Sequence, residues 1–146
     1  MRVLISLVSA AMLLVVPAVA QGPVATPITV YKTPTCGCCA KWVEHLRGAG
    51  FAPKVQDLPN LTAVKMSPGI PRALESCHTS VVEGYAVEGH VPADVIRQML
   101  KEKPSIAGIA VPGMPMGSPG MEGPAKDKYN VVAFDKDGRQ RVYASR

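Results

Sequence analysis

The sequence predicts an α/β fold, with a central mixed sheet flanked by helices and a C-terminal β-hairpin. Three observations predict it. Short β-branched runs alternate with runs of helical period, in the order β, α, β, α, β, α. The first β-rich run ends in a turn that holds Cys36 and Cys39 at Cys-x-x-Cys spacing and opens a helix. Late in the chain, residues 130–134 and 139–144 flank Asp137-Gly138, which is a hairpin signal.

Residues 28–32 form the first strand, broken by Thr33-Pro34-Thr35. An amphipathic helix follows over about residues 38–47. Cys39, Val43 and Leu46 lie at helical spacing on one face, and Gly48 and Gly50 end it. Thr35 is the expected N-cap. A second strand covers residues 52–58, and residues 60–66 have room for one or two helical turns. Pro68-Gly69 and Pro71 punctuate the chain before a short helical stretch at 72–76. Residues 79–87 are β-branched and partly alternating, which predicts one strand. Val91-Pro92-Ala93-Asp94 starts a helix whose stripe is Val95, Ile96, Met99 and Leu100, running to about residue 103. A short apolar run at 106–111 precedes an irregular Gly, Pro and Met loop at 112–124. A strand leading through a Cys-x-x-Cys turn into a helix is the layout of thioredoxin-like active sites, so that fold is expected.

The N-terminus reads differently from the rest. Arg2 precedes an uncharged, almost wholly apolar run at residues 3–16, and Ala18-Val19-Ala20 is a small-x-small cleavage signature. Residues 1–20 are therefore an expected signal peptide and 21–27 a flexible leader, leaving 28–146 as one domain. The apolar run is short for a bilayer span, which needs roughly 20 residues. No later stretch is apolar enough to span, and the mature protein is expected to be soluble and periplasmic. Cleavage takes 146 residues to 126, and 16 Lys and Arg to 15 against 11 Asp and Glu, a net charge of +4. The basic residues are scattered and not interleaved with aromatics, so no nucleic-acid footprint exists.

Export makes disulfides the first expectation for four cysteines. However, Cys36, Cys38 and Cys39 fall within four residues, and Cys77 stands alone. A staple gains most by closing a long loop, so this crowding suits ligation better. At a helix N-terminus the free amides and dipole favour thiolate. Gly37 would let backbone and metal approach closely. Three side chains so close in sequence are not expected to point one way, which favours a polynuclear site with bridging sulfurs. Soft thiolates select Cu(I), Zn(II) or iron–sulfur centres. The alternative is a buried core thiol at Cys39, with the other cysteines in a disulfide.

Cys77 lies in Ser76-Cys77-His78-Thr79, where thioredoxin-like folds ordinarily place a cis-proline facing the Cys-x-x-Cys turn. It would close a four-sulfur site there, or sit as a core thiol. His78 is the nearest imidazole, as a ligand or a cap. His45 reads as a solvated helix residue, and His90 as a cap for the following helix. Met114 and Met116, with Met121, offer soft thioethers as secondary copper sites, or fill gaps. Met66 and Met99 read as packing residues.

Taken together, the signal peptide, the run from Tyr31 through Cys36-Gly37-Cys38-Cys39, Ser76-Cys77-His78-Thr79, Glu88-Gly89-His90-Val91-Pro92-Ala93 and the Met loop from Val111 to Glu122 resemble one family. They are similar to the CopG-type periplasmic copper-resistance proteins, long classed as a domain of unknown function, over about residues 28–123. The resemblance implies a thioredoxin-like fold and a polynuclear copper–thiolate cluster on Cys36, Cys38, Cys39 and Cys77. It implies more than one Cu(I) per chain and other periplasmic copper-handling proteins as partners. The terminal hairpin matches no family role. Two other classes compete with copper binding. A thiol–disulfide oxidoreductase would use Cys36 and Cys39, and a structural Cys₃His zinc site would add His78.

Overall fold

The computed structural model describes residues 25–146. The expected signal peptide and residues 21–24 of the leader lie outside the described residues. The elements run β1 (Thr26–Lys32), α1 (Gly37–Gly48), β2 (Phe51–Asp57), α2 (Thr62–Met66), a 3₁₀ turn at Arg72–Leu74, β3 (Thr79–Val82), β4 (Tyr85–Glu88), α3 (Ala93–Glu102), β5 (Gly108–Ala110), β6 (Asn130–Phe134) and β7 (Gln140–Ser145). β1 starts two residues inside the stretch read as leader. No helix among the described residues is long and apolar enough to cross a membrane.

All seven strands form one sheet, in the order β2-β1-β3-β4-β5-β6-β7. β1–β2 and β4–β5 are parallel, joined through α1 and α3, and the remaining pairs are antiparallel. The result is the expected α/β fold with a mixed, open sheet, compatible with a thioredoxin-like arrangement. The terminal hairpin β6–β7 forms as expected, with a register shift at Val131/Val132. The outer strand at the other end, β2, contains Pro53 and Lys54.

One strand expectation is corrected. Residues 79–87 are two strands, β3 and β4, joined by a two-residue turn at Glu83 (φ 46°) and Gly84 (φ 85°). Both residues take the positive φ that a tight hairpin turn of the I′ kind requires, so the chain reverses within a run that reads as continuous. The β-branched residues on either side supplied no break in the pattern.

The main core lies between the sheet and the two long helices. Trp42, Val43 and Leu46 of α1 and Val95, Ile96 and Met99 of α3 pack on Ile28, Val30, Val82, Val87, Ile109 and Val131. Alternation along the strands sends Ala86, Ala110 and Phe134 to the opposite face, where they meet Ile70 and Leu74 in a smaller cluster. Met99 is buried as expected, whereas Met66 is 74 % exposed and packs no core. The expectation that His90 caps α3 also fails. Its N-cap is Pro92, and the Ala93 N–H instead donates to His45 Nε2 at 3.1 Å. His45 is therefore no mere solvated residue, because it ties α1 to the start of α3.

β4 and β5 meet closely at Gly108. A Cβ there would fall 2.3 Å from the Ala86 carbonyl oxygen and 2.8 Å from Phe134 Cζ. Gly108→Ala should destabilise the protein by about 1–3 kcal/mol, as overpacking does. Gly48→Ala at the exposed end of α1, where a Cβ would meet nothing within 4 Å, should stabilise it by about 0.5–1 kcal/mol. Urea-unfolding midpoints of the two variants check the opposite signs.

Candidate metal centre

Three segments build the site: the N-terminus of α1, the stretch between the 3₁₀ turn and β3, and the turn between β4 and α3 that carries His90. The N-cap of α1 is Cys36, not Thr35, and Cys36 Sγ accepts the Cys39 N–H at 3.3 Å. This places a sulfur where a capping oxygen usually sits, at the positive end of the helix dipole. Cys36 and Cys39 are joined as a disulfide, while Cys38 and Cys77 are free. Cys38 Sγ lies 3.5 Å from Cys36 Sγ. Cys39 Sγ, fully buried, lies 3.8 Å from the Cys77 carbonyl. A Cβ on Gly37 would touch nothing within 4 Å, so no protein contact demands glycine there.

The four sulfurs converge. Those of Cys36, Cys38, Cys39 and Cys77 lie within 4.8 Å of one another. The expectation that the three clustered cysteines cannot all point one way is therefore corrected. The turn into α1 and the disulfide gather them on the side that faces Cys77. A second group overlaps the first, because Cys77 Sγ, His78 and His90 also offer atoms within 4.8 Å of one another. Cys77 Sγ is 3.4 Å from His78 Nδ1 and 3.1 Å from His90 Nε2. Both imidazoles are fully buried. His78 packs on Trp42 with ring centroids 4.3 Å apart, and His90 meets His78 edge-on at 5.1 Å. The His78 Nε2 atom is buried with no hydrogen-bond partner.

Cys77 reaches the site because its neighbours are clamped. Glu88, at the end of β4 and 0 % exposed, accepts the Ser76 N–H at 2.6 Å and the Thr79 hydroxyl at 2.6 Å. Lys65 of α2 donates to Glu88 at 2.5 Å, to the Ser76 carbonyl at 3.0 Å and to Thr79 Oγ1 at 3.0 Å. The clamp thus grips the residue before Cys77 and the residue after His78. Burial raises the Glu88 carboxyl above its ordinary range, opposed by the hydrogen bonds from Lys65 and Thr79.

Burial, reinforced by the neighbouring Cys38, pushes the Cys77 thiol up to about 11. Without metal Cys77 is therefore a thiol at neutral pH. Burial, then the nearby charges of His90 and Lys65, lowers His78 to about 3, so it stays neutral. Burial likewise lowers His90, against the pull of the Pro119 carbonyl and Glu122.

The Met loop at 112–124 lies against the site, with Ser76 Oγ donating to the Gly113 carbonyl at 2.8 Å and the Pro119 carbonyl 2.8 Å from His90 Nδ1. Met114 is 51 % exposed, and the terminal methyl of Met116 covers Gly123, where a Cβ would come within 2.3 Å of it. Sequence reasoning assigns Lys65 and Glu88 no site role, and sets a functional role for His90 second to a helix cap. The available signal was charged or titratable residues inside otherwise apolar runs, such as Lys65 among Leu61, Val64 and Ile70.

Convergent sulfurs and imidazoles at a helix N-terminus define an α/β protein with a thiol-based site able to hold a soft metal. Residues 74–121 match the family described as "Protein of unknown function, DUF411". Two solved structures, of a copper resistance protein CopG in its forms 1 and 2, are similar to this chain. Each is 43 % identical with a TM-score of 0.79, over 84 % of this chain and 98 % of that one. No curated relative matches. By this identity and coverage, the chain belongs to the CopG copper resistance family.

The buried histidines fix a pH dependence. Folded His78 stays neutral down to about 3, whereas an unfolded imidazole takes up a proton near about 6.5. Between these values the unfolded state binds more protons, so stability falls as pH drops from about 6.5 toward 3. Urea midpoints of the metal-free protein should decline through that window, and His78→Gln should flatten the decline.

Proposed function

We propose that this chain is an exported, periplasmic copper-binding protein of copper resistance. It holds Cu(I) on the thiolates of Cys36, Cys38, Cys39 and Cys77 in a polynuclear site, with His78 and His90 as imidazole donors. The observation that carries the reading is that Cys77 belongs to both donor groups. A sulfur shared between a four-sulfur set and a sulfur–imidazole set is placed to bridge metal ions, and six donors exceed what one tetrahedral ion uses. The donor set fits copper, since thiolates suit Cu(I) and imidazole accepts either oxidation state. Copper is the cargo here, delivered from or passed to other periplasmic copper-handling proteins. Met114, exposed on the loop beside the site, is the thioether open to arriving copper, with Met116 as a further secondary donor.

Loading requires the dithiol, because a disulfide sulfur has no thiolate charge to give. The Cys36–Cys39 disulfide favours a second reading, a thiol–disulfide oxidoreductase working through that pair. Against it stand Cys38 and the two buried imidazoles, which such chemistry does not use. Insulin reduction at rates comparable to a dedicated oxidoreductase would support the second reading.

Anaerobic titration of the reduced protein with Cu(I) should end above one equivalent per chain. A firm end point at one equivalent would leave a single-metal site. Cys77→Ser should lower both the count and the affinity, because hydroxyl is a far harder donor than thiolate. The exposed Lys128→Ala should change neither. Since Cys77 is protonated up to about 11, copper must displace its proton. The logarithm of apparent affinity should therefore rise by at least about one unit per pH unit between about pH 6 and 9. A flat profile would remove Cys77 from the ligand set.

A further inference from the structure

We propose that the loop over residues 112–124 sets the tautomer of His90. In this assignment the Pro119 carbonyl holds the ring proton on Nδ1 and leaves the Nε2 lone pair facing Cys77, and Gly120 is the positioning residue that lets the carbonyl reach. The consequence for copper rests on the reading above, but the tautomer itself does not.

His90 Nδ1 lies 2.8 Å from the Pro119 carbonyl oxygen. A carbonyl only accepts, so Nδ1 is the donor. A neutral imidazole has one N–H, so Nε2 is bare, and it lies 3.1 Å from Cys77 Sγ. Without metal the Cys77 S–H donates to it. The hydrogen bond made by one ring nitrogen decides which atom the other presents to a metal. Here that bond comes from a loop, not from the sheet or a helix.

The loop can deliver this carbonyl because it is braced and because glycine follows Pro119. Ser118 is buried and donates through its hydroxyl to the Pro115 carbonyl at 2.6 Å. The Met121 N–H donates to the Ser118 carbonyl at 2.8 Å, and the Gly117 N–H to the Met121 carbonyl at 2.9 Å. Met116 and Asp127 exchange two bonds, both at 2.9 Å. Glu122 takes the Gly120 N–H at 2.7 Å. Gly120 itself sits at φ +87°, where a Cβ would fall 2.6 Å from the Cys38 carbonyl oxygen, 2.9 Å from the Trp42 nitrogen and 3.3 Å from His90 Nδ1. Two of those contacts are helix backbone, which cannot turn aside as a side chain would. Any side chain at 120 therefore lifts the loop from α1 and draws the Pro119 carbonyl away from His90.

The test is ¹⁵N imidazole NMR on the reduced, metal-free mature protein at about pH 8, with the His90 signals identified by their loss in His90→Gln. The wild type should show protonated Nδ1 and bare Nε2. Pro119→Ala, which keeps the carbonyl, should show the same. Gly120→Ala should shift His90 toward the Nε2–H form, and Glu122→Ala, which frees the Gly120 amide without adding an atom, should do so to a smaller degree. An Nε2–H signal in the wild type overturns the proposal, as does an unchanged His90 in both loop variants. In Cu(I) competition titrations Gly120→Ala should keep the wild-type stoichiometry and bind about 10–100-fold more weakly, the usual effect of losing a partner of a ligating histidine. A shifted tautomer with unchanged affinity overturns the positioning role. If the wild type has the Nδ1–H form yet binds no copper, the tautomer assignment stands and the copper reading falls.

Discussion

The ion pair between Lys65 and Glu88 is the constraint on which the site depends. Both groups are buried, and each makes further bonds to the segment that presents Cys77. Removing one partner from such a pair typically destabilises by about 3–5 kcal/mol, because the other charge is left buried without compensation. The pair therefore does not tolerate half-formation. α2, the end of β4 and the strand entry at Thr79 must come together as a unit. Cys77 then has one place to go, against the α1 turn 38 residues earlier in the chain. A thiol in a loop would wander over several ångströms, whereas one held between two clamped neighbours does not.

On the proposed copper reading, the same sulfurs would serve two incompatible purposes. A disulfide between Cys36 and Cys39 and a metal centre on those residues exclude each other, so the redox state of one bond governs how many donors the site offers. In the oxidised form Cys38 and Cys77 remain, together with two neutral imidazoles. Those imidazoles need lose no proton to bind a metal, whereas the Cys77 thiol must. The site thus keeps nitrogen donors ready at any oxidation state of the turn, while its sulfur donors depend on reduction and pH.

Much of this was legible in the sequence, for physical reasons. The α/β order follows from two hydrophobic periods, and α1, α3 and the terminal hairpin stand where periodicity and Asp137-Gly138 place them. The Cys36–Cys39 turn is local, so its position at the start of α1 could be read directly. The β3–β4 reversal could not, because Glu83 adopts a left-handed backbone that its side chain does not advertise. The partners of His45 and His90 were equally hidden. His45 binds an amide 48 residues away, and His90 binds a carbonyl 29 residues away. Contacts at such separations are set by tertiary packing, to which neither period nor spacing responds. The same holds for Lys65 and Glu88, which are separated by 23 residues.

The sheet is open, so it has two outer strands whose unpaired N–H and C=O groups could template another chain. Each is defended differently. In β2, Pro53 removes a donor from the middle of the edge, and Lys54 follows it. At the other edge, Arg141 of β7 lies over the Tyr143 ring, Arg146 just beyond β7 pairs with Asp94 of α3, and the register shift at Val131/Val132 of β6 twists the hairpin. Val142, 56 % exposed, is the apolar side chain these charges flank. A protein with free thiols has a second route to self-association besides strand pairing, through intermolecular disulfides. Strand pairing is opposed at both ends of the sheet, whereas the free and partly exposed thiols of Cys38 and Cys77 keep that second route open.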